Sequence, residues 1–182
     1  RRGSLVREKT MGGMTQFSGR KRTTSEALSR LRMHDGRDAG FGAIRFNGSK
    51  RAPAKWAAVS AGSNVDDVID LLCTTWKLEP PPVIISVTGA ALTLSLSPRD
   101  EAVIKRGLRE AARQTGAWIL DGGTNSGVME LVGKTVQEAD VEQPIVCLGI
   151  VPLGVVWKHE ELQKAAKGKV YRYESMTPEK PY

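Results

Sequence analysis

The 182 residues contain no apolar run approaching the roughly 20 positions that carry a helix across a bilayer. The opening Arg1-Arg2-Gly3-Ser4 lacks the apolar stretch of a secretory signal, so this piece of chain is expected to be soluble. Cysteine is scarce: Cys73 and Cys147 stand in apolar segments without CxxC spacing, as reduced core residues of a cytosolic protein do. Histidine is equally scarce, and neither His34 nor His159 has neighbours that would build a triad or a metal site, so no catalytic or metal residue is assigned. Aromatic residues are 5% of the chain, and no zinc pattern, RNP motif or GXXG clamp is present. What the chain does have is 40% hydrophobic residues, enough for a sizeable core in one ordinary domain plus a tail.

The net charge of +7 is unevenly spread. Residues 1–55 hold 14 Lys/Arg against 4 Asp/Glu, whereas residues 56–182 hold 13 against 16. The basicity therefore belongs to the N-terminal arm. Residues 1–38 read as a basic, disordered leader, with too few apolar positions to force packing. Such an arm suits RNA, an anionic membrane face or an acidic partner, but no aromatics are interleaved for base stacking, and nucleic-acid binding is the weaker expectation. The Arg-flanked hydroxyls of Arg1-Arg2-Gly3-Ser4 and Arg20-Lys21-Arg22-Thr23-Thr24-Ser25 fit basophilic phosphorylation, which would cancel local charge.

Order is expected from Phe41. Phe41 to Phe46 alternates as a short strand, and a second strand falls around Trp56 to Val59. A helix capped by Asn64 follows, with Val65, Val68, Ile69, Leu72 and Trp76 as its buried face, and Pro80-Pro81-Pro82 ends it. Val83 to Val87 reads as a covered strand. Ser97-Pro98-Arg99-Asp100 opens a helix that buries Ile104, Leu108, Ala111 and Thr115 and stops at Gly116. The strand Ala117 to Leu120, a helix from Gly127 to Ala139 with Val128, Leu131, Val132, Val136 and Ala139 inward, and the strand Ile145 to Ile150 complete the alternation. His159 to Lys167 reads as a charged surface helix. No internal repeat is visible, and the tryptophans at 56, 76, 118 and 157 read as core residues.

Strand and helix in alternation imply an α/β fold: a parallel sheet with right-handed crossovers and helices on both faces, a Rossmann-like three-layer arrangement. Three strands make a small sheet, so the domain, from residue 39 to 182, is expected to be truncated at its C-terminal end. Ligands of such sheets bind at the carboxyl ends of the strands, where three loops should crowd: Thr88 to Ala91, Gly122 to Gly127, and Val151 to Gly154. In the central loop, Asp121-Gly122-Gly123-Thr124-Asn125-Ser126-Gly127-Val128, the glycines admit close approach to the main chain and the amides of the following helix face an anion. Asp121 would hold a ribose or cation, or cap the turn.

These residues resemble the cytosolic N-terminal homology region of melastatin-type transient receptor potential (TRPM) channels. The resemblance runs through Trp76-Lys77-Leu78-Glu79 into Pro82 to Gly89, then Gly107 to Ala112, Thr115 to Ile119, Gly122-Gly123 with Gly127-Val128, Val132-Gly133, and Gly149 to Pro152 with Gly154 to Val156. That region is similar in turn to the SLOG superfamily with its LSDAT-like domain, which includes DprA-like proteins and the LOG nucleotide hydrolases. The resemblance implies a non-catalytic sensor of ADP-ribose-type nucleotides, or a packing scaffold, within a homo-oligomeric, tetrameric cation channel, on the cytoplasmic side of its membrane. Carried over residue by residue, the implied ligand-binding set is Thr88, Gly89, Ala90, Gly122, Gly123, Thr124, Asn125, Ser126, Gly127, Val128 and Tyr173.

Departures bear on that set. Ala90 replaces a usual glycine, Leu153 a frequent tryptophan, and Glu130 a basic residue, placing an anion in the first turn of the phosphate-facing helix. The alternative from the same superfamily is a LOG-type nucleoside monophosphate phosphoribohydrolase, or a stand-alone nucleotide-binding protein. The catalytic segment of the hydrolases has no match here, and Arg113 and Glu130 read as solvent-facing helix residues.

Overall fold

A computed structural model of the chain describes residues 31, 40–46, 51–90, 94–139, 143–164 and 170–173. His34 and the leader, apart from Leu31, lie outside them. The elements in order are strands β1 (Gly40–Phe46) and β2 (Ala54–Ala58), helix α1 (Val65–Asp70) running into a π turn (Leu71–Thr75), strand β3 (Ile84–Ser86), helix α2 (Pro98–Thr115) and strand β4 (Trp118–Asp121). Helix α3 (Gly127–Gln137), strand β5 (Cys147–Gly149), a 3-10 turn (Leu153–Val155), helix α4 (His159–Lys164) and strand β6 (Val170–Tyr173) follow.

The expected alternation produces a parallel sheet of order β3-β4-β5, with Ile85, Ile119 and Cys147 in register. Together with Ala112 and Leu108 of α2 and Val132 and Val136 of α3, these residues form one apolar cluster, in which Ile119 is 0% exposed. The α/β class and the Rossmann-like parallel sheet are as read. One detail is corrected. Helices α2 and α3 pack on each other over a single face of the sheet, because strands added in sequential order by crossovers of one hand return on one side.

A second sheet was not legible in the sequence. Strands β2-β1-β6 pair antiparallel between β1 and β2 and parallel between β1 and β6. Strand β6 takes in Tyr171-Arg172-Tyr173, a stretch to which the sequence assigned no element. Leu31, inside the stretch read as leader, is fully buried beside Leu71, Ala57, Val68 and Trp76.

The two longest amphipathic readings are right in span and right in part of their faces: Val68, Trp76 and Leu108 pack in the cores as read, and other positions do not. Asn64 caps α1 as expected, its side chain accepting from the Asp66 N–H at 2.8 Å. The π turn, in which the Trp76 N–H donates to the Leu71 carbonyl, inserts an extra residue into the ladder, and Leu71 at its start is buried; Val65, the first residue of α1, is 69% exposed. In α2, Leu108 and Ala112 face the core; Ile104, Ala111 and Thr115 are exposed. The face is rotated by one position: Leu108 and Ala112, one turn apart, pack with Ile119 and Val132, and Lys105 on the flank of that face binds Glu138 at the α3 C-terminus at 2.6 Å. Helix α3 agrees more closely with the pattern: Leu131, Val132 and Ala139 are buried, and Met129 and Thr135 join them.

Candidate functional site

The central loop begins with a side chain folding back on its own backbone. Asp121 ends β4, and its Oδ1 accepts from the Gly123 N–H at 2.8 Å, the Asx geometry that makes aspartate a turn residue. Burial pushes the Asp121 carboxyl above the ordinary aspartate range, while the Gly123 N–H and the Cys147 thiol, 3.9 Å away, pull the other way. Burial, with Asp121 beside it, drives the Cys147 thiol up to about 12, so it is a neutral core group at physiological pH.

Glycine has two separate duties in this turn. Gly123 and Gly127 have positive φ of 66° and 54°, whereas Gly122 does not. A Cβ at Gly122 would meet only the Met129 side chain at 3.6 Å. Gly123 instead lies backbone to backbone on Gly149: a Cβ built on Gly149 would come within 2.6 Å of the Gly123 Cα. The Ile150 N–H also donates to the Asp121 carbonyl at 2.9 Å. The central loop is thereby joined to the segment leaving β5. Gly149 is a site-building residue that the sequence reading quoted in the family match without assigning it a role; its signal was a glycine closing an apolar strand.

The first edge loop reaches the same turn from the other side. The Ala90 carbonyl accepts from the Val128 N–H at 2.9 Å, and a Cβ at Gly89 would lie 3.6 Å from Val128 Cγ1. Thr88, Gly89 and Ala90 are exposed and dock on the start of α3. Ser126 is the N-cap by backbone angles but its hydroxyl makes no cap bond; it lies 3.3 Å from the Thr124 hydroxyl. Thus the amides of Gly123 and Val128 are spent on Asp121 and Ala90. The hydroxyls of Thr124 and Ser126, the exposed Asn125 and the Gly127 amide make up the rest of the turn. Two of the expected edge segments, Thr88–Ala90 and Gly122–Val128, meet here, the Gly149–Ile150 segment joins them, and part of their donor capacity serves to hold them together.

Tyr173 lies elsewhere. It belongs to β6, stacks edge-on with Phe46 and Tyr171, and donates its hydroxyl to the Trp157 carbonyl at 2.6 Å. Burial raises its phenol above the ordinary tyrosine range. Its described bond ties the second sheet to the chain that leaves the third edge loop. Glu130 pairs with Lys134 at 3.0 Å one turn along α3, and Arg113 binds Gln143 at 2.6 Å, so both formal acid and base candidates make surface contacts. His159 rests its Nδ1 3.2 Å from the Val156 carbonyl. Among the described residues, no group of three His, Cys, Asp or Glu gathers to hold a metal, and no helix is long and apolar enough to cross a membrane.

Comparison with known proteins bears on this geometry. The family described as SLOG in TRPM matches residues 54–181. A transient receptor potential cation channel subfamily M member-like 2 from Nematostella vectensis is 39% identical over 137 residues, 73% of this chain and 9% of its own length. Subfamily M member 7 from Homo sapiens is 35% identical over 125 residues, 67% of this chain and 7% of its own. A transient receptor potential channel from Caenorhabditis elegans is 31% identical over 153 residues, 82% of this chain and 7% of its own. The chain spans less than a tenth of the length of each of these relatives.

Proposed function

The chain belongs to the SLOG family found in TRPM channels, and from that premise we propose that it is a cytosolic ligand-sensing module of a TRPM-like cation channel subunit. Its ligand is an ADP-ribose-type nucleotide whose charged end rests on the Gly122–Val128 turn. The observation that carries this reading is the convergence at one carboxyl edge of the parallel sheet: Ala90 on Val128, and Gly149 on Gly123. Ligands of parallel sheets bind at that edge, and a helix N-terminus there favours an anion.

The role is binding rather than turnover. Arg113 and Glu130, the formal acid and base within the matched region, are engaged in surface pairs. A bound nucleotide shifts the channel only by the difference in its affinity for the open and closed arrangements of the homo-oligomer, with Thr124, Asn125 and Ser126 as the adaptable contacts.

Calorimetry on the intact chain with ADP-ribose, its cyclic form and its 2′-phospho form tests the proposal. Saturable heat is expected, with affinity falling about tenfold in the Thr124→Val, Ser126→Ala double variant, the loss of about 1.4 kcal/mol of hydroxyl contacts. Heat that is absent at millimolar ligand, or identical in wild type and variant, would leave this edge a packing scaffold.

A further inference from the structure

We propose that the face of the β2-β1-β6 sheet carrying Arg45 and Arg172 binds a phosphate dianion, independently of the Gly122–Val128 turn. The parallel register sets Arg45 directly beside Arg172, so both side chains leave the same face from backbones about 4.8 Å apart. Both are exposed. Like charges in register on a sheet destabilise it, and the antiparallel pairing of Ala43 with Lys55 adds a third cation to that face.

Among the described residues, no carboxylate pairs with any of the three. Lys55 spends one N–H on the Trp76 carbonyl at 2.8 Å, and Arg45 reaches the Arg51 carbonyl only at 3.5 Å. Most of the guanidinium donors are therefore unspent. Two planar forks side by side match the oxygens of a tetrahedral anion, and two positive charges call for a compact group bearing two negative ones, a phosphomonoester or a pyrophosphate end, rather than a single carboxylate.

Among the described residues the cations of this face are three, Arg45 and Arg172 side by side and Lys55 opposite Ala43. Two residues back along each strand, on the same face, Ala43 pairs with Val170, which is 53% exposed, so the two arginines stand at the carboxyl ends of β1 and β6. That breadth accommodates one phosphate group rather than an extended polyanion.

Thermal unfolding of the intact chain, titrated with inorganic phosphate and with pyrophosphate against sodium chloride of equal ionic strength, tests the site. Pyrophosphate is expected to raise Tm saturably in the wild type. Arg45→Gln or Arg172→Gln should shift the midpoint of that response about tenfold, and the double variant should lose it. In phosphate-free buffer, Arg172→Gln is expected to melt no lower than the wild type, because it relieves a repulsion. The Thr124→Val, Ser126→Ala variant should keep the pyrophosphate response, which separates this site from the turn. A response equal in wild type and double arginine variant, reproduced by sodium chloride, or lost only in the turn variant would overturn the proposal.

Discussion

The least replaceable residue of the candidate site carries no side chain. Gly149 is fixed by a neighbour's backbone: any Cβ there would stand 2.6 Å from the Gly123 Cα, a separation that real structures avoid, and neither backbone is a flexible group that could yield. Gly149→Ala is therefore expected to destabilise the protein by about 1–3 kcal/mol, the range for overpacking, and to part the central loop from the β5 segment. Gly122→Ala meets only the flexible Met129 side chain at 3.6 Å and is expected to cost less than half as much by chemical denaturation. Equal losses at both positions would mean that the turn's glycines are used for flexibility in general. The sequence displayed these glycines clearly, but not which one was special. Positive φ at Gly123 and the contact across to Gly149 depend on a residue 26 positions away, and no local pattern encodes that distance.

Among the elements, end signals were more legible than faces. Ser97 caps α2 as its Ser-Pro-Arg-Asp start announces: its hydroxyl accepts from the Asp100 N–H at 3.1 Å and donates to the Asp100 carboxylate at 2.7 Å. Gly116 ends the helix in the left-handed conformation at φ 64°. Both devices act within a few residues, which is why the sequence reveals them. Ser97→Ala is expected to cost about 1 kcal/mol of stability, measured as a lower denaturant midpoint with unchanged slope. No change in midpoint would assign the start of α2 to Pro98 alone. The buried face of the same helix was misread because its phase is set by tertiary contacts. Leu108 and Ala112 pack with Ile119 of the sheet and Val132 of α3, which leaves Ile104 42% exposed.

For the molecule as a whole, the joint between the two sheets runs through a residue that the sequence did not single out. Arg51, between β1 and β2, donates to the Gln137 and Ala139 carbonyls at 2.6 and 2.7 Å and so occupies acceptors left over at the C-terminus of α3. A cation at that end also complements the helix dipole. The same helix begins at the candidate ligand turn, so Arg51 anchors the far end of the element that carries the site. Arg51→Ala is expected to lower stability by about 1–2 kcal/mol and to speed amide hydrogen exchange over residues 135–139 more than over α2. Exchange raised equally everywhere would assign Arg51 a general rather than a bridging contribution.

By itself the sequence determined the α/β alternation, the helix caps, the positions of the three edge loops and membership of the channel family. Each of these is written in residues close together in the chain, or in a pattern long enough to match relatives. Only the tertiary structure decided that α2 and α3 share a face, that Tyr173 belongs to a second sheet paired with β1, that Leu31 is core, and that Asp121 and Ala90 take two of the turn's amides. Those outcomes come from partners tens of residues apart competing for the same donors and the same space, and burial and hydrogen-bond satisfaction settle that competition only once the chain has closed on itself.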